Sequence, residues 1–134
     1  MFGKYDDYDY HVEGAIKAGF EPDNGFTHIG FMVSWLIRHG LFRTEFISPE
    51  AAVDLARGRL RPNDLRDLVD GKLVDEMLTP VGATFLANYY EAYLTEFVEA
   101  FPDAPDYGVS DDAANQAIVD QLIDEAFTRW RAVS

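Results

Sequence analysis

Three histidines, His11, His28 and His39, supply the near-neutral titrating side chains of this cysteine-free, 134-residue sequence. His28 and His39 stand eleven residues apart, about three helical turns, and share a helix face with Met32 and Trp35 between them. A rise of roughly 16 Å forbids both from ligating one metal. They read either as polar ends of a ligand-facing stripe or, more simply, as helix-end residues. In the simpler reading His28 bonds to a neighbouring helix end, and His39 sits in a last turn where positive charge suits the dipole. His11 follows Asp6, Asp7 and Asp9. That set offers ligands for a divalent cation, but it lacks the glycine-bearing spacing of a calcium loop. On a helix the three aspartates would not all point one way, and acids in a first helical turn are the simpler account. No metal site is expected. His11, His28, Trp35 and Tyr10 define a candidate ligand pocket between the N-terminal segment and the helix of residues 27–39.

Other catalytic equipment is sparse. There is no glycine-rich phosphate loop, no nucleophile elbow, no H-E-x-x-H and no thiol. Carboxylates are so numerous that closeness between two of them argues nothing about acid–base work. The expectation is a binding protein with no catalytic residues and no cofactor, not an enzyme.

Charge points to what it would bind. The net charge is -13, and residues 74–134 hold twelve acids against Arg129 and Arg131. Such a field repels nucleic acid and anionic membranes and attracts a basic partner. Asp103, Asp106, Asp111, Asp112, Asp120, Asp124 and Glu125 form the candidate acidic face, which either stands in for phosphates toward a nuclease cleft or serves solubility alone. Tyr5, Tyr8 and Tyr10 beside the N-terminal acids are candidate aromatic anchors. Tyr89, Tyr90 and Tyr93 belong instead to a buried ridge. Arg57, Arg59, Arg61 and Arg66 are interleaved with aspartates, which favours internal ion pairs or a dimer contact over nucleic-acid binding.

The elements that must carry these residues read as helices joined by short turns, with no strand alternation. The predicted fold is all-α, a single domain over residues 1–134, with about six helices around a central apolar helix at 27–39. Asp6 or Asp7 caps a first helix that ends at Gly19. Ser48-Pro49 and Thr79-Pro80 start two others, and Pro62-Asn63-Asp64 opens a short one stopped by Asp70-Gly71. Ser110 caps the last. Phe85, Tyr89, Tyr93, Phe97 and Phe101 recur every four residues, so their ridge winds around its helix. Hydrophobic residues make up 48% with 14% aromatic, which excludes simple disorder. The acidic N-terminus has no signal-peptide core, and the longest apolar run, Ile29–Ile37, is half a membrane span. A cytoplasmic protein is expected.

Four segments carry a resemblance. They are Tyr5-Asp6-Asp7 with Tyr10-His11; Thr27-His28-Ile29-Gly30 with Trp35; Asp70-Gly71-Lys72-Leu73; and Phe85 with Tyr89-Tyr90 and Tyr93-Leu94. Together they resemble a family of small, acidic, uncharacterised bacterial proteins sometimes encoded among polymorphic-toxin and immunity genes. The likeness spans residues 4–130, and Tyr10 stands where that family has Trp. It implies a class of small intracellular protein rather than a mechanism, and it supplies no catalytic residues to carry over. The expected function, resting on the charge, is an acidic protein-binding module, an immunity-type inhibitor that sequesters a basic toxin or nuclease domain. A small-ligand or metal-binding module using the pocket, and a homo-oligomeric structural protein, are the alternatives.

Overall fold

The structure is a computed structural model, and it describes residues 3–133. Five α-helices surround one another with a small sheet at one side. In chain order the elements are β1 (Lys4–Asp7), α1 (Val12–Lys17), α2 (Thr27–Arg38), α3 (Pro49–Ala56), β2 (Lys72–Val74), α4 (Pro80–Ala100) and α5 (Ala113–Ala132). Single 3-10 turns at Tyr8–Tyr10, Pro22–Gly25, Thr44–Phe46, Pro62–Leu65 and Asp75–Met77 join them. The chain is therefore mostly helical but not all-α, and it has five α-helices rather than six among the described residues.

α2 is central, as its apolar sequence requires. Every residue from Thr27 to Leu36 is buried, against α3, α4, α5 and the 62–65 turn. Phe31, Met32, Trp35 and Leu36 are fully enclosed, and each such side chain contributes about 1.5–3 kcal/mol. Ser48 and Thr79 cap α3 and α4 by accepting from Ala51 N and Gly82 N, with Pro49 and Pro80 at the first helical positions. α5 is capped by Asp112 rather than Ser110. Gly19 and Gly40 adopt the left-handed backbone that ends α1 and α2. The ridge on α4 packs ring to ring, with centroids 5.2–6.0 Å apart from Phe85 to Phe101.

The departures lie in the short elements. Neither Asp6 nor Asp7 caps α1; they close β1, which pairs antiparallel with β2, and Asp7 caps only the Tyr8–Tyr10 turn by accepting from Asp9 N. The reason is non-local: Asp6 partners Leu73, and Asp70-Gly71, both left-handed, turn the chain into β2. An irregularity between Lys4 and Asp6 breaks the strand's alternation, so Asp6 and Asp7 are both buried, each 4% exposed. The segment after Pro62 forms one 3-10 turn instead of a helix.

Candidate functional site

Asp6 is the hub. Its Oδ1 lies 2.7 Å from His11 Nε2 and accepts from the Asp7 backbone N–H at 2.8 Å. Its Oδ2 lies 3.0 Å from His28 Nε2 and accepts from the Tyr90 hydroxyl at 2.6 Å. An ionised carboxylate has acceptor capacity for about four such bonds, so this one is satisfied. Burial alone would raise the Asp6 carboxyl. The bonds from His11, His28 and Tyr90 outweigh it and hold Asp6 far below the usual carboxylate range. Burial also keeps His28 below its ordinary value, against the pull of Asp6. The Tyr90 phenol is pushed well up by burial and by the neighbouring Asp6 charge.

The carboxylate fixes both imidazole tautomers. Nε2 of each ring faces an acceptor, so the proton of a neutral ring sits there and Nδ1 carries the lone pair. His11 Nδ1 then accepts from the Tyr107 hydroxyl at 2.9 Å. His28 Nδ1 has no protein partner among the described residues. The rings meet edge to face with centroids 4.5 Å apart.

Several segments hold this arrangement. β1 delivers Asp6, the entry to α1 delivers His11, and the first turn of α2 delivers His28, whose backbone carbonyl accepts from Tyr93 at 2.6 Å. α4 brings Tyr90. Tyr107 sits in the 101–112 connection with φ of 63°, an unusual backbone for a bulky residue, held by Asn24 Nδ2 donating to its carbonyl at 2.7 Å. Gly14 makes room for it, because a Cβ there would come within 2.8 Å of the Tyr107 ring.

Beyond the imidazoles opens a cavity of about 370 Å³. His11, His28, Thr27 and Asn24 line its polar end, and Phe97 and Phe101 are among its apolar walls. An apolar chamber with a few convergent polar groups is the usual form of a small-molecule site.

Of the residues singled out from sequence, His11 and His28 meet here. Trp35 does not: it lies two turns along α2, stacks on His39 at 4.1 Å and donates to Asp124 at 2.8 Å. Tyr10 points outward, 66% exposed, beneath the Lys4 ammonium. Tyr5 packs against the core and donates to the Ala83 carbonyl, and Tyr8 lies under Arg66. Only Tyr10 of these three tyrosines is freely presented. The acids divide similarly. Asp111 pairs with Arg61, Asp120 pairs with Arg38 through two hydrogen bonds, Asp124 accepts from Trp35, and Asp112 caps α5. Asp103, Asp106 and Glu125 are exposed without an ion pair among the described residues. Asp6, Tyr90 and Tyr107 were not gathered into the pocket from sequence. The usable signal was Asp6 and His11 flanking a turn.

A family profile, a domain of unknown function (DUF7832), matches residues 4–109. The chain belongs to the DUF7832 family. No curated protein and no solved structure matches it. The DUF7832 match takes in β1 through the Tyr107 segment, hence every residue of the Asp6 cluster, and ends before α5. Among the described residues no helix is long and apolar enough to cross a membrane.

Proposed function

We propose that this DUF7832 protein binds a small molecule with an apolar body and a hydrogen-bond-donating head, such as an amine or alcohol. The observation that carries this reading is the His28 ring: held by Asp6 at Nε2 and without a protein partner at Nδ1 among the described residues, it lines a chamber walled by Phe97 and Phe101. Burial disfavours the charged imidazole, which keeps that nitrogen an acceptor. The exposed Asp106 carboxylate at the cavity mouth and the net charge of -13 add attraction for a cationic head.

The test is an NMR titration with phenyl- and cyclohexyl-bearing amines and alcohols beside the matching carboxylates. Saturable shifts at His28 and Phe97 with amines or alcohols, absent with carboxylates, support the reading. No saturable shift with any of them removes it. Filling the chamber by Leu94→Trp should abolish the response.

The inhibitor reading, an acidic face that sequesters a basic toxin domain, draws its support from the twelve acids of residues 74–134. It ranks second because Asp111, Asp120 and Asp124 already serve partners within the chain. A basic partner captured from the native host at low salt and lost on Asp103→Asn, Asp106→Asn and Glu125→Gln together would favour it.

A further inference from the structure

We propose that Asp6, His11 and His28 form a binding site for one divalent transition-metal ion beside the cavity that the two histidines line. The site shares the residues of the ligand reading but needs no organic ligand. Two imidazoles and a carboxylate suit zinc and its first-row neighbours, and they leave coordination positions open for solvent or a bound molecule. One ligand atom from each residue can be chosen so that all lie within 4.8 Å of one another. Around an ion with bonds of about 2.0–2.1 Å, tetrahedral ligand atoms stand roughly 3.3 Å apart. The separations of Asp6 Oδ1 from His11 Nε2, 2.7 Å, and of Asp6 Oδ2 from His28 Nε2, 3.0 Å, therefore need to open by roughly 0.3–0.6 Å for an ion that both carboxylate oxygens face.

The surroundings of His11 and Asp6 argue for the same use. Metal-bound histidines ordinarily have their other ring nitrogen held by a partner, and bound carboxylates are themselves hydrogen-bonded. Tyr107 stands at His11 Nδ1, and Tyr90 with the Asp7 N–H holds the Asp6 oxygens. Binding displaces the Nε2 protons. Each ring then carries its proton on Nδ1, so His11 donates to the Tyr107 oxygen instead of accepting from it. The His28 lone pair that would receive an amine becomes an N–H, so metal and amine compete. Charge also balances: one carboxylate and two neutral rings present -1 to a dication, inside a chain of net charge -13.

The experiment uses the full chain, stripped with chelator and titrated with Co(II) and then Zn(II) alone. The expected result is a Co(II) absorption band that saturates at one equivalent. With Zn(II), the Nε2 resonances of His11 and His28 should move while those of His39 stay. His11→Gln, at the least buried ligand, should lose the saturable step. Tyr107→Phe keeps all three ligands and should weaken binding by about 10–100-fold. Absence of saturation at one equivalent, uptake by His11→Gln equal to the parent, or a response at His39 would overturn the proposal. Because no organic molecule is present, such a failure leaves the amine titration free to succeed or fail separately.

Discussion

Tyr107 Oη lies 2.9 Å from His11 Nδ1, across 96 residues of sequence, and reaches it from a left-handed backbone. The same ring touches Asp6 on its other edge, so His11 is held at both nitrogens. Strain in the 101–109 segment and order at the N-terminus are thereby connected through one imidazole.

The first prediction concerns that connection. Gly14→Ala places a methyl within 2.8 Å of the Tyr107 ring and must displace it. The expected cost is about 1–3 kcal/mol, the usual range for overpacking. Urea denaturation measures it, and the His11 ring resonances should shift while those of His39 do not.

Tyr90→Phe removes a donor from a buried, ionised carboxylate. Bonds to charged groups contribute about 1.5–3 kcal/mol, so a loss of that size is expected. Asp6→Ala should cost more, about 3–5 kcal/mol, because it strands several buried donors at once. In the double variant with Asp6→Ala, Tyr90→Phe should cost far less than it does alone, which a denaturant-based cycle reads directly.

Stability of the metal-free chain should fall on acidification. His28 is held below its ordinary value of 6.5, so below that pH the unfolded chain binds a proton the folded one resists. Asp6, held far below its ordinary 3.8, adds a second loss as pH drops beneath that value. Both slopes have the same sign. Thermal midpoints should decline from about pH 6.5 downward, and His28→Gln should flatten the upper part of that decline.

Arg38→Ala tests the fate of one acid. It frees Asp120 from two hydrogen bonds at 2.9 and 2.7 Å, on side chains 26% and 22% exposed. Partial exposure limits the cost to roughly 1 kcal/mol. High salt should reduce the difference between variant and parent.

What could be read in the sequence follows from range. α2, α3 and α4 announce themselves locally, through an unbroken apolar run and through Ser48-Pro49 and Thr79-Pro80. The burial of Tyr89, Tyr90 and Tyr93 follows from the four-residue ridge, as expected. β1 and β2, with four and three residues, carry no readable alternation and exist through pairing between residues more than sixty apart. The same holds for the site. His11 and His28 are recognisable by residue type, but nothing near Asp6 in sequence says that Leu73 will align it, or that Tyr90 and Tyr107 will reach it. Tyr10 adjoins His11 in sequence and Trp35 shares a helix face with His28, which suggests a common pocket from sequence alone. The Tyr8–Tyr10 turn sends Tyr10 outward, and α5 captures Trp35 through Asp124.

The scattering of the Asp6 partners over β1, α1, α2, α4 and the 101–109 segment has a kinetic corollary. No helix hairpin or folding fragment contains enough of these groups to make the centre. A collapsed intermediate with helices formed but side chains still interchanging would show native-like circular dichroism and an unsatisfied carboxylate. Formation of the Asp6 centre therefore requires native packing of all these segments at once, and the native His28 resonance should appear only together with tertiary structure.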